Sequence, residues 1–240
     1  MTMGLLDVPG PLFGAVESAL ADFMPPILRL CLWAAFGAWM SIELYRLLSP
    51  QGRITAAAQD LRHAQAKLAG FDGEFQDAMP LMGQMIRASG RRLLLVFPAA
   101  IAASLPMLAL LVWLDGAYSA RLPGPGEPVA VKAEPASLEA RWQEGSVGQV
   151  IVTDQAHRPV VSAAVPAPVP TIHKWQWWNA LIGNPAGYLP KEGPLDRIDI
   201  DLPRIEVLNV GPGWVRSWEA PFFAVFMVFA LFAKWARKVI

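Results

Sequence analysis

The sequence predicts an α-helical membrane protein with three transmembrane helices, a cytoplasmic helical hairpin and a small β-rich extracytoplasmic domain. Three observations predict it. Of the 240 residues, 54% are hydrophobic and only 17% charged, against about 25% charged in an average soluble domain. Three apolar stretches, within 25–48, 93–114 and 217–240, approach the roughly 20 residues that a helix needs to cross a bilayer. Basic residues gather beside these stretches, while the net charge is zero and the mean hydropathy +0.35. No global field favours DNA as a partner.

The central stretch is 79–114, MPLMGQMIRASGRRLLLVFPAAIAASLPMLALLVWL. It joins a Met-rich basic segment to a run, Leu93 to Leu114, that carries no charge. Arg87, Arg91 and Arg92 directly precede that run, where a cytoplasmic flank places its positive charge. Pro98 and Pro106 within it predict a kinked span, since proline frees a helical carbonyl that neighbours or water must satisfy.

Residues 1–24 form the first segment. Leu12, Phe13, Val16, Leu20 and Phe23 recur at helical spacing, with Glu17 and Asp22 elsewhere around the turn. This pattern predicts a short amphipathic helix on the membrane surface. Pro25 and Pro26 open the first span, 25–48, whose middle is uncharged while Arg29, Glu43 and Arg46 lie near its ends. Arg29 has two readings from position: an arginine reaching to the interface, or one facing a hydrated groove inside the membrane.

Residues 49–92 read as the hairpin, two antiparallel helices around the turn Gly70-Phe71-Asp72-Gly73, with Pro80 interrupting or restarting the second. Six basic residues (Arg53, Arg62, Lys67, Arg87, Arg91, Arg92) face four acids (Asp60, Asp72, Glu74, Asp77), which assigns the loop to the cytoplasm. Met79, Met82 and Met85 follow one another at i, i+3. Such a face suits varied apolar partners, or it packs within the hairpin.

Residues 115–216 change character. Val129 to Val131, Val150 to Val152, Val160 to Val165 and Ile198 to Val207 read as strands, the last with Ile198, Ile200 and Leu202 alternating with Asp199 and Asp201. Trp175, Trp177 and Trp178 in this domain, with Trp214 and Trp218 before the last span, read as interface anchors. The run 220–233 closes on Lys234, Arg237 and Lys238, so the C-terminus is expected in the cytoplasm and the N-terminus and β-rich domain outside. The single Cys31 excludes an intramolecular disulfide, and His63, His157 and His173 are too dispersed in sequence to suggest a metal site. No phosphate-binding loop or nucleophile–base pattern points to catalysis or a cofactor.

Three spans with a coiled-coil hairpin between the first two resemble the YidC/Alb3 insertase superfamily, especially its short archaeal and endoplasmic-reticulum members. Ser104-Leu105-Pro106-Met107-Leu108 looks like the Leu-Pro-Met stretch of a core span, and 82–90 is similar to the Met-rich segment upstream of it. Arg29 would stand for the groove arginine. The likeness covers about residues 25–115 and the last span. It implies an insertase or insertion chaperone of the inner (cytoplasmic) membrane, multi-pass, working without nucleotide, metal or other cofactor. Met79, Met82 and Met85 would bind the client and Arg29 would line the groove. The implied partners are nascent or newly made membrane proteins and the lipid bilayer, with the ribosome or another membrane subunit beside them. The rival readings are a membrane-anchored scaffold whose β-rich domain docks extracytoplasmic partners, and an enzyme using the Trp- and Asp-bearing loops.

Overall fold

The computed structural model describes residues 3–237, so Lys238 lies outside the described residues. A 3-10 turn, Leu5–Asp7, leads into helix α1, Gly10–Ala21. Helices α2 (Pro26–Leu48), α3 (Gln51–Ala69) and α4 (Phe75–Tyr118) follow. Then come strands β1 (Ala130–Glu134), β2 (Glu139–Gln143), β3 (Gly148–Thr153), β4 (Pro159–Val165), β5 (Thr171–His173) and β6 (Arg197–Asp201). A one-turn helix α5, Gly213–Arg216, and helix α6, Glu219–Arg237, complete the described chain.

Among the described residues, α2, α4 and α6 are long and apolar enough to cross a membrane. At 1.5 Å per residue, the 44 residues of α4 span about 66 Å, roughly twice the 30 Å hydrocarbon core. About half of this helix must therefore stand outside the bilayer if the other half crosses it. Pro80, Pro98 and Pro106 all lie inside the continuous helix. Pro80 thus neither ends nor restarts it, and the expected boundary between hairpin and span at residue 93 is an unbroken turn of helix. The helix also extends past 114 to Tyr118.

The chain forms two compact units, one of the residues up to Leu32 with Leu108–Ala224, the other of Trp33–Met107 with the residues from Val225 on. In the second unit, the buried residues of α2 and α4 are mostly small: Ala34, Gly37 and Ala38 on one helix, Ala99 and Ala103 on the other. Glu43 pairs with Arg46 at 2.8 Å and with Arg237 at 2.7 Å, tying the end of α2 to the end of α6. Arg237 and Lys234 also complement the dipole of the last turn of α6.

In the first unit the strands form two three-stranded antiparallel sheets, ordered β1-β6-β5 and β2-β3-β4. They share one apolar core. Val150, Val152 and Val165 from one sheet and Ile172, Ile198 and Ile200 from the other join Leu189, Leu195 and Leu202. Along β6 the isoleucines are buried while Arg197 and Asp201 are exposed, the period-two alternation of a half-buried strand. The expected strand to Val207 is shorter than its pattern, because β6 ends at Asp201 before Pro203, which lacks a ladder donor. Strands β2 and β5 were not anticipated from the sequence. Gly148, at the start of β3, is required by contact: a Cβ there would collide with the ring of Trp142 across the β2–β3 pair.

Ile198→Ala removes a side chain that is fully buried between the sheets and is expected to cost about 2–5 kcal/mol. The full chain in micelles should then unfold at a lower urea concentration; an unchanged midpoint would contradict the shared core. A second prediction concerns pH. The Glu127 carboxylate is held below its usual range by the Arg121 guanidinium and the Gly124 N–H. The Asp154 carboxylate is held low chiefly by the Arg158 N–H, then by the Ala156 N–H. A carboxylate with depressed folded-state pKa contributes stability above its unfolded pKa, about 3.9 for Asp and 4.3 for Glu, which is lost as pH falls through the folded value. Domain stability should therefore fall as pH drops below about 4. Asp154→Asn with Glu127→Gln should flatten that fall, and an equally steep fall in the double variant would contradict the assignment.

Candidate functional site

Helix α4 carries two adjacent apolar stripes. The first is its packed side: Ala78, Leu81, Met85 and Ala88 are half-buried, and Ala99, Ala103 and Met107, at steps of four residues, continue the same side of the helix as buried residues. On α3, Ile54, Ala57 and Ala58 are buried and Leu61 half-buried. An ion pair of 3.5 Å from Arg91 to Asp60 connects the two helices.

The second stripe is exposed. Phe75 (73%), Met79 (61%), Met82 and Ile86 (66%) stand open on the first part of α4, and Leu93 and Phe97 are open on its apolar part. At 100° per residue these six fall within an arc of about 60°. Only Ser89 and Gly90 interrupt the line, and both are small. Arg87, Arg91 and Arg92 sit off the arc on the same turns. One apolar track thus passes the arginine belt without a charge on it and enters the run that can cross a membrane.

The structure separates the three methionines singled out by spacing. Met79 and Met82 lie on the exposed track, while Met85 is half-buried on the packed side. Steps of three residues drift by about 60° each, which carries Met85 out of the arc. Phe75 and Ile86 also belong to the track, and methionine spacing does not mark them, because no single residue type runs along it. Pro98 is exposed and Pro106 half-buried, both in the upper part of α4.

Arg29 occupies the first turn of α2 and is engaged within the chain. Its Nε donates to Glu17 Oε1 at 2.7 Å and its Nη1 to the Met24 carbonyl at 2.6 Å. The Tyr118 hydroxyl donates to the same Glu17 oxygen at 2.5 Å. The Arg29 and Glu17 side chains retain only 14% and 16% exposure. This cluster connects α1, the start of α2 and the end of α4.

The tryptophans divide. Trp177 and Trp214 are widely exposed, Trp175 lies 5.8 Å below the Lys191 ammonium, and Trp178 packs on His173 with ring centroids 4.9 Å apart. Trp218 is only 4% exposed and meets Phe222 edge-on at 5.8 Å, so it is a packing residue in this unit. A largely apolar cleft of about 740 Å³ lies beside it, with Asp7, Asp115, His173 and Arg197 among its ionisable lining. Comparison of the chain with protein-family models, with curated proteins and with solved structures returns no match.

Proposed function

We propose that this protein is a membrane-protein insertion factor of the YidC/Alb3 kind, and that the exposed track of α4 guides apolar client segments from the cytoplasm into the bilayer. The observation that carries the reading is the line Phe75, Met79, Met82, Ile86, Leu93 and Phe97 on one continuous helix, interrupted only by the small residues Ser89 and Gly90. An apolar line exposed to water is costly to keep unless a partner covers it. Its continuation past the arginine belt matters most, because a client sliding along it is never released into water. The arginines beside the run and the basic end of α6 support a cytoplasmic location for the first half of α4.

The energetics suit a transient encounter. Covering four such side chains yields a gross gain of about 6–12 kcal/mol at 1.5–3 each. Association itself costs about 4–15 kcal/mol. The two nearly cancel, so a client binds weakly and moves on, as a carrier requires. Methionines on the track adapt to different client side chains. The reading rests on the track and assigns no client contact to Arg29, which Glu17 already holds.

The test is reconstitution. The full chain in proteoliposomes is expected to raise insertion of a single-span client above that of empty liposomes, without nucleotide. Equal insertion by empty and loaded liposomes would overturn the reading. If the track instead binds one stable partner that purifies with the chain, the scaffold reading takes its place.

A further inference from the structure

We infer that the N-terminal segment and the tryptophan-bearing loop around 177–183 form one lipid-facing ledge, fastened by the Asp7 carboxylate and resting in the headgroup layer of the leaflet next to the β domain. The inference takes α2, α4 and α6 as membrane spans and is independent of any client.

Helix α1 is inside-out by the standard of a water-soluble helix. Its acid, Glu17, turns inward to Arg29 and Tyr118, while Leu12 and Val16 are exposed, as are Leu5 and Val8 before the helix and Phe23 after it. A helix that hides its charge and presents its apolar residues is matched to lipid.

The second observation is the fastening. The Leu6 N–H donates to the Leu181 carbonyl at 2.9 Å. Asp7 Oδ2 accepts from the Gly183 N–H at 2.7 Å and from the Gly4 N–H at 2.8 Å. Gly4 is needed there, since a Cβ would stand 2.5 Å from the Leu181 carbonyl group. The fastening places exposed Leu5 and Val8 on the same segment pair as exposed Trp177, Leu181 and Ile182. One apolar patch is thus assembled from parts of the chain distant in sequence.

Depth and charge identify the occupant. Phe13 packs on Trp113, near the end of α4, with centroids 5.6 Å apart, and Glu17 joins the ends of α2 and α4. The ledge is therefore fixed at the level where two spans leave the hydrocarbon. The first 28 residues contain Asp7, Glu17 and Asp22 but no Lys or Arg, so anionic lipid gives no attraction. The partner is the apolar part of a leaflet, with tryptophan at the headgroup boundary.

The test uses the full chain with Cys31→Ser, reconstituted in zwitterionic phosphatidylcholine nanodiscs after protease protection confirms insertion. A polarity-sensitive fluorophore is placed on Leu5→Cys, Leu12→Cys, Leu181→Cys, or Ala156→Cys in the exposed β3–β4 turn. Shallow-quencher lipids are expected to quench the first three and spare the fourth. Adding Asp7→Ala should lower quenching at Leu5 and Leu181 by about twofold, leaving Leu12, which Glu17 still holds, unchanged. Absence of quenching at both Leu5 and Leu181 would overturn the ledge. So would quenching that needs anionic lipid, or a signal that rises with protein density and so reports a second copy. Client insertion is not read here, so failure of the ledge and failure of the insertion reading are distinguishable.

Discussion

Replacing Arg29 with methionine is expected to destabilise the protein by about 3 kcal/mol, the lower end of the range for breaking a buried ion pair. The lower end applies because both partners keep slight exposure. The loss arises mainly from what remains: Glu17, at 16% exposure, would keep its charge in a setting built for a guanidinium, although the Tyr118 hydroxyl still donates to it. The turn from α1 into α2 would also lose the bond from Arg29 to the Met24 carbonyl. Adding Glu17→Gln should recover most of the stability, since the uncompensated charge is then gone. Unfolding of the two variants in micelles checks this. Insertion measurements separate the structural role from a groove role. If Arg29 serves the fold, the stabilised double variant inserts clients; a stable double variant that fails to insert would restore Arg29 to the client path.

Met82→Glu combined with Ile86→Glu is expected to lower client insertion by about tenfold or more while leaving folding nearly unchanged. Both side chains are exposed, and exposed substitutions away from packed features usually change stability by no more than about 0.5 kcal/mol. Their effect on a client is different. A carboxylate on the track must be desolvated whenever an apolar segment covers it, at a cost of several kcal/mol, and roughly 1.4 kcal/mol already corresponds to tenfold. Met85→Glu is the informative contrast. Met85 lies on the packed side, so its replacement should lower stability as well as activity. If Met82 and Ile86 behaved like Met85, they would be packing residues and the track would not exist as a surface.

The spans were readable in the sequence because crossing a bilayer imposes a length and forbids charge, and both are local properties. Strands β3 and β4 were readable for a similar reason: their valines are consecutive or alternate. Strand β2, EARWQ, was not, because its half-buried positions are Ala140 and Trp142 between polar neighbours, too short and mixed a pattern to mark a strand. The three residues of β5 are too few to show a period. In α4 the proline at 80 suggests a break, yet the helix runs through it from Phe75 to Tyr118. Methionine spacing marks two of the track residues, Met79 and Met82, and one from the neighbouring stripe, Met85, since only exposure distinguishes the faces. The partner of Arg29 lies twelve residues away across a proline turn, and Asp7 reaches Gly183 across most of the chain. Neither pairing leaves a sequence signal.

The most direct measurement is site-specific photocrosslinking in cells, scanning Phe75, Met79, Met82, Ile86, Leu93 and Phe97, with Asp77 and Gln84 on the far side of α4 as controls, while ribosome-stalled membrane-protein chains are present. The account expects nascent-chain adducts at the six track positions and not at the controls, with the contact moving from Phe75 towards Phe97 as the stalled chain lengthens. Adducts to a single stable protein at every track position, or equal labelling of the track and the far side, would contradict it.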